Sequence, residues 1–566
     1  MPSNVVASGV GRQFPTALYP VGAPLYRPTS PACCSDAHDL LGPSFSRAPP
    51  MPRPSSLALL LLLLAPALAA GSLVAQDFPS DDPVIRAIWE QGMGEGSQVQ
   101  PLVQVLTDSI GPRLSGSPGQ MAANRWLLER YEDWGVPARM EEYGTWLAWE
   151  RGITHIDLLE PRVRTLNGTM LAWSPGTDGP VEGEVVALPR FDAPEDFQAW
   201  LPGVEGKFVA LSYAEPTCRA PESWEQFATP ESWERMQELR QNTVQEWAGG
   251  LRSLGGQGAV AGSLQAAGAL GILTARWSNG WGANKVSSAP AGATVPWLHL
   301  SCEDYGLVHR LASNGQGPVL RLDADAEFGG EVPVHNVVGE IRGSELPDEY
   351  VLLTAHLDSW DGASGATDNG SGTVMMMEAM RILKEVHPNP RRTIMVGHWG
   401  GEEQGLIGSG AFAEDHPEVV DGLQAAFNQD NGTWRIDFIR MQGFLGAGEH
   451  FGRWFSQIPR EITQHIELDV PGVPESGGSD HMSFICRGAA GFRLQSNYPD
   501  YRQYTWHTDI DTYDKLVLDD LRNNATLAAM LAYLASEDPE RVGTEQRELD
   551  GREWPGCGTV RRSSGR

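Results

Sequence analysis

The run V-L-L-T-A-H-L-D-S-W at residues 351–360 decides how the chain is read, together with D-N-G-S-G at 368–372, V-M-M-M-E-A-M-R-I-L-K-E-V at 374–386 and T-I-M-V-G-H-W-G-G-E-E-Q-G at 393–405. The first and last are apolar β-type runs ending in His356-Leu357-Asp358 and in Glu402-Glu403. The middle run is apolar at helical spacing and follows a Gly-rich loop. The segment reads strand, loop, helix, strand, with acids and an imidazole gathered where strands end. In open α/β sheets that is where ligands bind. The pattern is that of a metal site.

Working outward, the 566 residues suffice for about two to four domains. Lys and Arg number 42 against 72 Asp and Glu, a formal charge of −30, which repels nucleic acid and anionic lipid. The six cysteines, Cys33, Cys34, Cys218, Cys302, Cys486 and Cys557, show no C-x-x-C spacing, so His and carboxylate must do any metal binding.

Residues 1–50, rich in Pro, Ser and Gly, read as disordered or untranslated. Met51 opens a second beginning. Arg53 is basic, Leu57 to Leu64 is apolar, and Ala67-Leu68-Ala69 is a small-x-small cleavage signal. The expectation is a signal peptide over 51–75 and a mature protein that is secreted or periplasmic. In such a compartment Cys218 and Cys302 can pair.

Residues 82–136 carry helical patterning broken at Gly111-Pro112 and Gly116–Gly119, and 139–151 and 153–159 read as strands. From 176 to 331 the texture changes, with short strands around F-V-A-L-S-Y, G-I-L-T and W-L-H-L and a polar helical W-E-R-M-Q-E-L-R stretch. This block offers no catalytic constellation, and His299 and His309 read as packing or surface residues. The expected organisation is 80–175 and 332–536 as two parts of one catalytic domain, 176–331 inserted between them, and 537–566 a flexible tail.

A hydrolytic two-metal site needs a bridging carboxylate, further ligands for each ion and a free base. His356 ends a strand, and Asp358, two residues on, faces the same way and can orient it. Asp368, in a Gly-rich loop at a helix start, is the natural bridge. Glu402 and Glu403 point oppositely, so one can bind metal while the other holds the attacking water. Asp430, ending G-L-Q-A-A-F-N-Q-D, and His507, in W-H-T-D-I-D-T, complete the ligands.

Taken jointly, these motifs with D-S-I-G-P-R-L-S-G-S (108–117), W-E-R-G (149–152) and D-N-G-T (430–433) resemble the co-catalytic zinc exopeptidases, the family of secreted bacterial aminopeptidases and glutamate carboxypeptidases, most strongly its carboxypeptidase Q branch. The resemblance spans about Asp82 to Ser536. It implies an α/β fold, a doubly wound mixed-sheet zinc exopeptidase domain with an inserted protease-associated-type β-rich domain. It implies two zinc ions, with His356 and Asp430 on one, Glu403 and His507 on the other, and Asp368 bridging. Glu402 becomes the general base, Asp358 supports His356, and a cis peptide follows Asp368.

The expected substrates are dipeptides or small peptides, with no nucleic-acid partner, no membrane span after signal removal, and a homodimer left open. Gly478–Phe484 looks more like the S-D-H-x-x-F segment of the aminopeptidases, which sets a free N-terminus against a free C-terminus as the recognised end. Arg487, Arg493 and Arg502 are the cations available for a carboxylate, and His481 reads as a site-wall group. A glutaminyl-cyclase-like acyltransferase on the same fold and a non-catalytic receptor-type ectodomain are the rivals, the second disfavoured because every ligand and the base are present.

Overall fold

The computed structural model describes residues 78–566 except 431, 550, 552 and 566, so the segments 1–50 and 51–75 lie outside the described residues. An uninterrupted apolar run such as Y-V-L-L-T-A has no solvated face to offer and belongs in the middle of a parallel sheet. The strand Leu346–His356 takes that place, buried from Tyr350 onward. Arg392–Trp399 lies parallel to it on one side and Leu423–Gln429 parallel on the other. The winding reverses at this strand, which makes its carboxyl end the ligand-binding crevice. In register His356 stands opposite Trp399 and Thr354 opposite Asn428. His356, the Glu402 turn and Asp430 therefore emerge at one edge.

Beyond these, Gly491–Gln495 adds a parallel strand and Val319–Ile341 an antiparallel one, giving the mixed sheet expected. The helix Ser371–Val386 is buried from Ser371 through Leu383 and packs against Leu518–Glu537. Its Val374 and Ile382 share one apolar cluster with Leu353, Val396, Phe427 and Leu531. Burial of each such side chain is worth roughly 1.5–3 kcal/mol, so the sheet edge that bears the site stands on a large apolar core. Arg381 is buried there too, and pairs with both Glu378 oxygens at 2.7 and 2.9 Å.

The lead-in is helical as expected, in Pro83–Met93 and Pro118–Asp133, capped by Asp82 and Ser117, whose side chains accept the Val84 and Gln120 amides. The two strands expected at 139–151 and 153–159 are instead one, Ala138–Glu160, because Gly152 is absorbed in a register shift against Val319–Ile341. These two long strands form a ribbon that carries residues 161–318 outward and back. The boundary expected at 331 thus falls inside an unbroken strand.

Residues 176–331 are α/β rather than β-rich. Their strands Val181–Ala187, Phe208–Ala210, Gly271–Thr274 and Trp297–Leu300 are short, whereas the W-E-R-M-Q-E-L-R stretch extends into a helix of 24 residues, Pro230–Ser253. Val209, Leu264, Ile272 and Trp297 form a local core, and Cys218 is bonded to Cys302. The residues expected as a flexible tail are tied down. Val542 is buried, the Arg547 amide donates to Gly443 O, Cys557 is bonded to Cys486, and Arg562 pairs with Asp415. A few anchors without periodicity suffice to dock such a segment, and periodicity is what its sequence lacks. No helix among the described residues is long and apolar enough to cross a membrane.

Candidate metal centre

At the carboxyl edge of the sheet the sequence-predicted residues meet in two groups. His356, Glu402 and Asp430 form one and Asp368, Glu403 and His507 the other, and within each group the potential ligand atoms lie within 4.8 Å of one another. His356 Nε2 is 3.1 Å from Asp430 Oδ1 and 3.5 Å from Asp368 Oδ1. His507 Nε2 is 2.9 Å from Glu403 Oε2 and 3.4 Å from Asp368 Oδ2. Asp368 therefore turns one oxygen to each imidazole. Its peptide bond to Asn369 is cis.

Asp358 is placed differently from the expectation. The His356 Nδ1 partner is the Asp358 carbonyl oxygen at 3.0 Å, while the carboxylate Oδ1 stands 3.7 Å away. That carboxylate instead accepts the Glu402 and Glu403 amides, at 3.1 and 3.3 Å. One residue thus fixes the imidazole through its backbone and the Glu-Glu turn through its side chain.

Two further residues hold the site and were not singled out from sequence. Arg113 is fully buried and donates from Nε to Leu357 O (2.6 Å), from Nη1 to Gly111 O (2.9 Å) and Ser364 O (2.5 Å), and from Nη2 to Gly365 O (2.9 Å). Three of those carbonyls belong to the loop joining His356 to Asp368. At Gly365, with φ of 57°, a Cβ would stand 2.4 Å from Ser359 Cβ, so the loop closes this tightly only on glycine. Asp511, also buried, accepts the amides of Thr367 at 2.9 Å and Asp368 at 3.0 Å. Arg113 lay in the quoted 108–117 motif and Asp511 four residues after His507, so position in a motif was the available signal.

His398 and His481 are each held by a neighbouring side chain. His398 Nε2 meets the Tyr131 hydroxyl at 2.6 Å, and burial takes its pKa to about 3, so it is neutral. His481 Nε2 lies 2.8 Å from Glu475 Oε2. Of the three candidate arginines, Arg493 donates to Asp430 O at 2.9 Å and pairs with Glu475, and Arg487 donates to Ser483 O at 2.7 Å. Arg502 is exposed, lies 4.5 Å from the Trp506 ring centroid, and has no carboxylate partner among the described residues.

The electrostatics are those of an anionic pocket. Burial drives the Glu402 and Glu403 carboxyls well above their usual range, His356 draws both back, and the neighbouring acids, Asp430 near Glu402 and Asp368 near Glu403, push them up. Burial opposes charge on His356, but Asp430 and Glu402 outweigh it and its proton affinity stands well above normal. His507 moves the other way, to about 4, because burial outweighs the pull of Asp368. Asp368 Oδ2 and Glu403 Oε1 are buried without an aligned hydrogen bond. Carboxylates crowded about two imidazoles, with acceptor atoms unspent, fit divalent cations with N and O ligands, and zinc suits that donor set.

Residues 336–532 match peptidase family M28. Mouse carboxypeptidase Q is 27% identical over 441 residues, spanning 77% of this chain and 85% of its own length, and human carboxypeptidase Q is 26% identical over 444 residues with the same coverage. Among solved structures, a peptidase M28 precursor from Shewanella amazonensis superposes with a TM-score of 0.59 at 24% identity, over 82% of this chain and 98% of that one. A zinc aminopeptidase from Bacillus subtilis gives 0.50 at 18% identity, over 80% and 98%. These superpositions support the fold.

Proposed function

We propose, from the match of residues 336–532 to peptidase family M28 and the paired ligand groups at the sheet edge, that the chain is an exported two-zinc exopeptidase hydrolysing dipeptides and other small peptides. One observation carries the two-metal reading: the two Asp368 oxygens lie 3.5 Å from His356 Nε2 and 3.4 Å from His507 Nε2, as a bridging carboxylate requires. His356 and Asp430 would hold one ion, Glu403 and His507 the other. When bound, the ions would polarise the scissile carbonyl and acidify the attacking water.

Glu402 takes the proton from that water and returns it to the leaving amine. Its backbone amide is held by Asp358 at 3.1 Å, and the carboxyl shares its pocket with His356 and Asp430. A carboxyl raised by burial is suited to both halves of this transfer, because it accepts a proton readily and gives it up to an amine. Trp360, its ring centroid 6.0 Å from that of His507, lines the cleft beside Asp368 and Glu403. Export is supported by the two disulfides, Cys218–Cys302 and Cys486–Cys557, which persist in oxidising compartments.

The test is a pair of substitutions. Glu402→Gln keeps the shape and removes the base, so turnover of a free dipeptide should fall by about 10²–10⁴-fold while about two zinc ions per chain remain. Glu403→Gln should lose metal as well as activity. Equal metal content in both variants, or near-normal turnover in the first, would overturn the assignment.

A further inference from the structure

The ligand with the least support from regular structure is His507. It sits between the turn Tyr501–Thr505 and an irregular stretch, with φ of 53°, in the left-handed region that strains a non-glycine residue. Such a conformation persists only where neighbours impose it. Its side chain is also the most exposed of the five ligands, at 23% against 8% or less for the others.

The neighbours come from a distant part of the chain. Residues 275–296 join the strands Gly271–Thr274 and Trp297–Leu300 with no helix or strand of their own. A connection that long, beyond the roughly 12–15 residues usual for structureless loops, calls for a role. Its centre is buried, with Asn284, Lys285 and Val286 at 1, 5 and 3% exposure.

From that centre three residues reach the His507 loop. The Val286 amide donates to His507 O at 2.7 Å. Lys285 Nζ donates to Trp506 O and, at 3.4 Å, to Arg502 O, and lies 4.4 Å from the Trp506 ring, which stacks on His507 at 4.2 Å. Asn284 donates twice to Asp509, from its backbone at 2.8 Å and from Nδ2 at 2.5 Å, and takes the Asp509 amide in return at 2.9 Å.

Asn284, Lys285 and the neighbouring Ser287 are anchored on the other side. Asn284 Nδ2 donates to Asn167 Oδ1 at 3.0 Å, His299 Nδ1 meets Lys285 O at 2.6 Å, and Ser287 O accepts the Ala172 amide at 2.9 Å. Burial takes the His299 pKa to about 4, so its ring is neutral near pH 7 and donates from Nδ1. The stretch is a strut between the strands of residues 161–318 and the loop bearing a metal ligand.

We infer that Asn284, Lys285 and Val286 are positioning residues for the metal centre, and that residues 161–318 thereby complete the half of the site that His507 serves. This rests on the two-zinc reading above. Residues that orient a ligand typically change metal affinity by about 10–100-fold, without touching the ion.

The test counts zinc rather than turnover. The full chain is titrated with zinc against a competing chelator, bound metal is counted by mass spectrometry, and near-UV circular dichroism checks the fold. Asn284→Ala and Lys285→Met should each weaken one of two zinc sites by about 10–100-fold and leave the other unchanged, the pattern expected in extreme form of His507→Ala. Asn284→Asp alone should be worse, since it sets two carboxylates together. Asn284→Asp with Asp509→Asn restores an amide–carboxylate pair and should recover the site, which a merely destabilised protein would not do. That rescue decides the matter should either single variant fail to fold. Both zincs held with wild-type affinity in Asn284→Ala and Lys285→Met, or no recovery in the exchanged pair, would overturn the inference. A wild-type chain holding fewer than two zincs would instead refute the two-metal reading.

Discussion

Replacing Arg113 by Met should cost about 3–5 kcal/mol of stability, the usual consequence of stranding the partners of a buried charge. The guanidinium is completely buried and makes four hydrogen bonds to carbonyl oxygens, at 2.5 to 2.9 Å. Bonds from a charged donor contribute about 1.5–3 kcal/mol each, and the sum is reduced because water can re-enter beside Ser364 and Gly365 and the Met stem fills part of the space. Burial lowers the Arg113 pKa to about 10, with Asp511, Asp358 and Asp368 pulling it back, so the group is cationic at neutral pH and its loss also removes a counter-charge. Urea unfolding followed by circular dichroism and by tryptophan emission would read the change. Arg113→Lys should recover little of it, because one ammonium cannot span four acceptors. A loss below about 1 kcal/mol in the Met variant would refute the reasoning, since it would mean that the 357–365 loop closes without the clamp.

Glu475 supplies a pH test: burial would raise its carboxyl, but His481, Arg493 and Gln442 outweigh that and hold it at about 2 against an ordinary 4.5. A depressed acid gives stability that is full above its unfolded pKa and lost as pH falls toward the folded one. At about 1.36 kcal/mol per pKa unit, the advantage of wild type over Glu475→Gln should shrink by up to roughly 3 kcal/mol between pH 4.5 and 2, and an advantage constant across that window would refute the pairing. Replacing Cys486 and Cys557 by Ser opens a link across 71 residues and should cost about 2–4 kcal/mol, with new protease cleavage beyond residue 538; unchanged resistance would show that the tail docks without it. Arg502→Met should raise KM for a free dipeptide several-fold but not for its C-amide if that arginine reads the carboxylate, and equal effects on both would exclude it.

The parts of this molecule legible in its sequence are those whose signal is local. An apolar run reads as a strand, so V-L-L-T-A-H and T-I-M-V-G-H-W were legible as strands, and the acids at their ends as a ligand site from what strand ends do in α/β sheets; that the first is central and buried on both faces is added by the fold. Gly152 misled because a glycine in a β run marks a break or a bulge with equal justice, and only the partner strand Val319–Ile341 decides between them. Arg113 and Asp511 gave no sign beyond their place in a motif, since each matters through carbonyls and amides that loop closure brings to it. His507 is the extreme case. Neither periodicity nor a strand end marks it, and only the acid-rich W-H-T-D-I-D-T setting and the family resemblance point to it. In the folded chain its backbone is fixed by Val286 and its loop by Asn284 and Lys285, some 220 residues earlier. A ligand on a regular element inherits its position from hydrogen-bonded neighbours a few residues away. A ligand on an irregular loop has to import that rigidity, and the residues that lend it can lie anywhere in the chain. That is why the Asn284–Val286 stretch, which carries no recognisable motif, is the place where substitution should most selectively disturb one metal ion and spare the other.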